Sequence, residues 1–134
     1  VIQERNVEVY RLVSVIDTVN ANVILPAPGR VLGAYVLGAA SGIRYVKLYN
    51  KATAPVVGTD TPLVTLQASI TAAEGAAFMI AAPLGVPMVH FPGRGLFFSA
   101  GIGVGITVGV ADSNTSAPSA AGDVYLHVFY QRGR

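Results

Sequence analysis

The feature that most constrains this chain is a ten-residue run, "GIGVGITVGV" at positions 101 to 110, in which side-chain size alternates without a break. Ile102, Val104, Ile106, Val108 and Val110 hold the even positions, and Gly101, Gly103, Gly105, Thr107 and Gly109 the odd ones. Successive side chains of a strand point to opposite faces, so a period of two means extended backbone with one aliphatic stripe for the core. The opposite stripe is almost bare. Glycine weakens a strand by roughly 0.5 to 1 kcal/mol relative to alanine, so a glycine-lined face is expected only where something packs closely on the backbone. That cover is either an aromatic group of the same chain, with Phe97 and Phe98 at hand, or a neighbouring subunit.

The rest of the chain follows the same habit. Turn residues recur about every ten positions, at 20–22, 26–29, 41–42, 54–62, 74–75, 83–87, 92–95 and 112–122, and Val, Ile, Thr, Tyr and Phe fill the gaps. This spacing predicts an all-β chain with strands near 7–16, 31–38, 43–49, 63–69, 76–81, 86–91, 96–110 and 123–130. Eight strands suit a single antiparallel β-sandwich, jelly-roll-like, over residues 1–134, with 1–6 as an extended N-terminal arm. A length of 134 residues is one domain's worth of chain.

Composition sharpens this. Hydrophobic residues make up 52% and charged ones only 12%, about half the charged share of ordinary soluble domains. A chain so poor in charge is expected to hide part of its surface against other chains. The closing strand points the same way: Val124, Leu126, Val128 and Tyr130 form one face, and Tyr125, His127 and Phe129 make the other equally bulky. That second face is either an interface, where aromatics are enriched, or the wall of a second small core.

The residues that could carry chemistry do not assemble into a recognisable motif. The glycines at 101, 103 and 105 would need a further glycine at Ile106 and a following helix to cradle a nucleotide. "DSNTSAPSAAGD" at 112 to 123 spaces Asp112, Asn114, Ser116 and Asp123 as in a calcium loop, but has Ala117 where the sharp turn requires glycine. His90 and His127 have no acidic neighbour in sequence, Ser41 and Ser99 lack the glycine pattern of a nucleophile elbow, and the seven acidic residues are spread singly. A net charge of +2 with no basic run gives no track for phosphates. No apolar run reaches the ~18 residues of a spanning helix, and the strict alternation argues against reading residues 95–111 as a membrane-inserting segment. No enzymatic activity, cofactor, metal, nucleic acid or membrane is expected.

One stretch points to a family. "KLYNKATAPVVGTDTP", residues 47 to 62, resembles a pattern of small virion proteins of tailed bacteriophages, in which a strand ending Tyr-Asn-Lys-Ala leads into A-P-x-x-G-T-D-T-P. "FFSAGIGVGITVGVADSNTSAPSAAGDVYLHVFY" is similar to that family's ending, and "ILPAPGRVLGAYV" to its early turn and strand. The resemblance implies a capsid decoration or cement protein, homotrimeric, set over junctions of the major capsid protein on the virion surface. The alternative it leaves is a tail or head-fibre domain that contacts the host. The chain departs from the pattern at Asn114, where an acidic residue is common, and in its glycines between 101 and 109. On this reading the contact residues are Pro55, Gly58, Thr59, Asp60 and Pro62 of the connector, Gly101, Gly103 and Gly105 of the bare stripe, and Tyr125, His127 and Phe129. Pro55 and Pro62 fix the backbone at both ends of a connector whose Thr and Asp side chains can bond nearby backbone, and a pre-ordered loop docks at lower entropic cost.

Overall fold

The computed structural model describes residues 6–38, 43–68, 88–118 and 124–133, which form nine strands and no helix. In chain order they are β1 (Glu8–Val13), β2 (Asn22–Leu25), β3 (Gly29–Gly38), β4 (Arg44–Asn50), β5 (Val64–Ala68), β6 (Met88–His90), β7 (Leu96–Phe98), β8 (Ile102–Thr107) and β9 (Val124–Arg132). They make two antiparallel sheets. Sheet A has the order β1-β9-β3-β6, with β7 also paired to β3, and sheet B the order β2-β8-β4-β5. Strands β6 and β7 share one side of β3, pairing Gly33–Tyr35 and Gly29–Val31 respectively. The inner faces meet in one core, as expected of a β-sandwich.

The period-two pattern decides which side chains enter that core. From sheet B come Ile102, Val104 and Ile106 of β8, Val46 and Leu48 of β4, and Leu66 of β5. Sheet A supplies Val124, Leu126, Val128 and Tyr130 of β9, with Ala34 and Val36 of β3 and Phe98 of β7. A one-residue slip of β8 would put Gly103, Gly105 and Thr107 inward, so its register is strongly set.

Three sequence expectations are corrected. The stretch 96–110 is not one strand: Leu96–Phe98 belongs to sheet A and Ile102–Thr107 to sheet B. The chain crosses between sheets at Ser99–Gly101, where the Asn50 amide donates to Ser99 Oγ (2.9 Å) and its Oδ1 accepts from Ala100 N–H (2.8 Å). The aliphatic stripe also stops early, since Val108 and Val110 are 36% and 59% exposed. There the Thr107 hydroxyl donates to Gly109 O and Gly109 N–H donates to Asn114 Oδ1, bending the chain out of the sheet. Third, β2 lies between two turn clusters and was not expected as a strand; it pairs with β8 through a bulge between Val23 and Leu25. The strand expected at 76–81 and most of the N-terminal arm lie outside the described residues, as do Ser41 and Asp123.

Candidate interaction surfaces

The outer face of sheet B is closed by the chain's own connector. A methyl group placed on Gly101 would lie 2.7 to 2.8 Å from Ala52 Cα, Leu25 O and Lys51 O. One on Gly103 would lie 3.1 Å from Pro55 Cδ, and one on Gly105 2.6 Å from Val57 Cγ2 and 3.4 Å from the Tyr49 ring. The bare stripe is bare because residues 51–57 and Tyr49 rest on it. Its cover is therefore intramolecular, and it consists of neither Phe97 nor Phe98: Phe98 belongs to the core, while Phe97 stacks under the Arg30 guanidinium at 4.9 Å. As contact residues for another subunit, Gly101, Gly103, Gly105 and Pro55 are buried and out of reach.

Local chemistry holds the connector there. Asp60 Oδ2 accepts from Lys51 Nζ (2.5 Å) and from Val56 N–H (2.7 Å), while Asp60 N–H and Thr59 N–H both donate to Val56 O. Gly58 takes a φ of 91° to close this turn, a region that side-chain-bearing residues avoid. The lysine, and next the Val56 N–H, hold the Asp60 carboxyl below its usual range. Gly58 also abuts Thr115, so the connector meets the 108–118 loop. Thr59, Asp60, Thr61 and Pro62 stay at or near the surface, and Lys51, Asp60 and Pro62 border an open cleft of about 280 Å³.

Two large polar side chains are buried beneath this cover. Lys47, fully buried, donates from Nζ to Ala111 O at 2.6 Å. Burial pushes its pKa down, and Asp112 partly offsets this. Tyr49 is 1% exposed, and its hydroxyl has no hydrogen-bond partner among the described residues. Burial, then the charges of Asp112 and Asp60, push that phenol up. Neither group is exposed to a substrate. Among the described residues no three of His, Asp and Glu gather as a metal site would require, and no helix is long and apolar enough to cross a membrane.

The outer face of sheet A is the opposite. Val9, Arg11 and Val13 of β1 stand beside Phe129, His127 and Tyr125 of β9, which stand beside Gly33, Tyr35 and Leu37 of β3. Val7 and Val9 are each 52% exposed and Tyr125 38%. Tyr35, Leu37, Tyr125, His127 and Phe129 line a shallow depression of about 360 Å³, and a second of about 200 Å³ opens over Gly33 between Val7, His90 and Phe129. The Tyr35 and His127 rings meet edge to face at 5.6 Å, and His127 Nδ1 is buried with no hydrogen-bond partner among the described residues. Sequence reasoning singled out the three β9 residues but missed those of β1 and β3, which only the pairing register brings alongside. No family model, curated relative or solved structure matches this chain.

Proposed function

We propose that this chain is a structural protein of a tailed-phage virion, decorating the capsid surface, and that it works by contact rather than by catalysis. The observation that carries the reading is the outer face of sheet A, across which no described segment lies. Its described residues are mostly apolar across three adjacent strands, around Arg11 and His127, in a chain that closes the equivalent face of sheet B with its own loop. Patches of this kind on a folded protein mark sites for other macromolecules. The likeness of residues 47–62 to phage virion proteins supplies the setting, and burial withdraws Lys47 and Tyr49 from solvent on the sheet B side.

A decoration protein stabilises what it binds, because a ligand of the assembled shell shifts the equilibrium towards assembly. Shells stripped of the chain should release their genome at lower temperature than complete ones, and adding purified chain should restore the difference. Stripped particles that are equally robust but adsorb poorly to host cells would transfer the reading to a head or tail fibre. Particles unchanged in both respects would remove it.

A further inference from the structure

We infer that residues 52–62 form a hinged strap that lifts off sheet B as one piece while the sandwich stays folded, and that this motion opens Tyr49 to solvent. It belongs to sheet B and is independent of the contact role proposed for sheet A.

The hydrogen bonds mark out the moving part. At its start Lys51 N–H donates to Tyr49 O (3.0 Å) and Gly101 O (3.1 Å), and just past its end Leu63 N–H donates to Leu48 O (2.7 Å). Both ends are thus pinned beside the last residues of β4. Between them every backbone bond stays inside the segment: Thr59 and Asp60 N–H donate to Val56 O, and Val56 N–H donates to Asp60 Oδ2. None reaches the sheet. The Lys51 ammonium on Asp60 ties the tip back to the first hinge. A compact loop with adjacent ends, packed and bonded within itself, can keep its shape when it leaves its seat.

Packing alone seats it beyond the first hinge. Pro55 rests on Gly103, Val57 on Gly105, and Gly58 abuts Thr115. The neighbouring 108–118 loop is held differently, by Lys47 Nζ on Ala111 O, and stays with the sheet. Part of the packing gain is lost beneath the strap, where the Tyr49 phenol is buried with no hydrogen-bond partner among the described residues. An unpaired buried hydroxyl is costly, and water satisfies it once the strap lifts. An open cleft of about 280 Å³ already borders both Tyr49 and the strap's return through Asp60, Thr61 and Pro62. A segment with few buried contacts and no bonds to the core opens more readily than the whole domain.

Acetylation of Tyr49 by N-acetylimidazole, followed by peptide mass spectrometry across a urea series below the unfolding midpoint, tests this, with the exposed Tyr125 as the reference. Tyr49 should react more slowly than Tyr125 yet faster than global unfolding permits. Its rate should barely rise with urea, because lifting a strap exposes little surface. Val57→Ala trims the contact with Gly105 and should speed the reaction about tenfold, with the same shallow urea dependence. Cβ atoms at positions 57 and 105 would lie within about 4 Å, in disulfide range, and the chain has no cysteine of its own. Val57→Cys combined with Gly105→Cys should therefore slow Tyr49 to the rate of global unfolding when oxidised, and recover on reduction. Tyr49 acetylation that tracks global unfolding at every urea concentration overturns the inference, as does a rate unchanged by the cross-link in a variant that still melts cooperatively. A Val57→Ala protein that reacts no faster than the parent overturns it as well. The urea series on the parent decides the matter if the double variant fails to fold.

Discussion

The two sheets of this sandwich have equivalent inner faces and unlike outer ones. On sheet B, β8 and β4 present Gly103, Gly105, Lys47 and Tyr49, and the connector of residues 51–57 lies across them. On sheet A, β1, β9 and β3 present mainly aliphatic and aromatic groups around Arg11, and no described segment lies across them. A strand face stripped to glycine is useful only to a neighbour that comes close, and the neighbour here begins at the residue that follows β4. A face of Val, Tyr, Phe and His gains by burial at about 25 cal/mol per Å², which another chain can supply. Lack of side chains thus marks the finished surface, and abundance of them the unfinished one.

The comparison breaks most readily at Gly101. A single added methyl would meet three backbone-chain atoms within 2.8 Å, and backbone cannot swing aside, so Gly101→Ala should destabilise the isolated chain by about 3 kcal/mol, the upper end of overpacking costs. Urea denaturation of the separate chain at low concentration measures it, and an unchanged midpoint would mean the connector does not seal the face. Gly105→Val should cost less, about 2 kcal/mol, because the obstructing Val57 side chain and Tyr49 ring can shift. That loss would appear although valine is the better strand former; a variant that melts higher would show the face to be open.

Two changes sharpen the account of the cover itself. Tyr49→Phe removes a buried hydroxyl that bonds none of the described residues, and leaving such a group unpaired typically costs about 1 kcal/mol or more. The variant should match or exceed the parent in stability by about 1 kcal/mol, whereas a clear loss would reveal a partner for that oxygen. For Asp60 the effect appears in pH dependence. Its folded pKa lies below the ordinary value because of Lys51 and Val56 N–H, so it stabilises the fold above its unfolded pKa near 3.9. That contribution fades as pH falls from there through the folded value. Asp60→Asn should flatten this part of the acid limb of a melting-temperature profile; an acid limb identical to the parent's would show that the connector does not depend on the pair. The smallest expected change is on the unfinished face, where Val9→Ser should alter the isolated chain's stability by no more than about 0.5 kcal/mol. Its effect belongs in association, and a large loss of monomer stability would mean the face is already covered within the chain.

How much of this was legible beforehand depends on how local each cause is. Alternation in β8 and β9 assigned their inner residues correctly from Ile102 to Ile106 and from Val124 to Tyr130, because a strand's two faces follow from covalent geometry alone. The all-β sandwich followed from repeated turn residues. Alternation also misled: it runs on through Val108 and Val110, where an Asn114 side chain and a glycine turn take the backbone away from the sheet. It also gave no sign of the sheet change at Ser99–Gly101, which depends on Asn50 reaching across from β4.

By itself the sequence determined that residues 101–109 need a close neighbour and that the 54–62 connector shapes itself, since both are properties of a few adjacent residues. Only the tertiary structure decided that each answers the other. Pro55 and Val57 could be placed on Gly103 and Gly105 only once β4 and β8 had paired with Lys47 opposite Gly105 and Tyr49 opposite Gly103. That register is a long-range fact. The same holds for the face around His127, whose neighbours Arg11 and Tyr35 lie 116 and 92 positions away in the chain and are made adjacent by hydrogen bonding of β9 to both β1 and β3. Which face stays bare and which is covered is set by strand order, and strand order is fixed by the collective burial of two sheets rather than by any one segment.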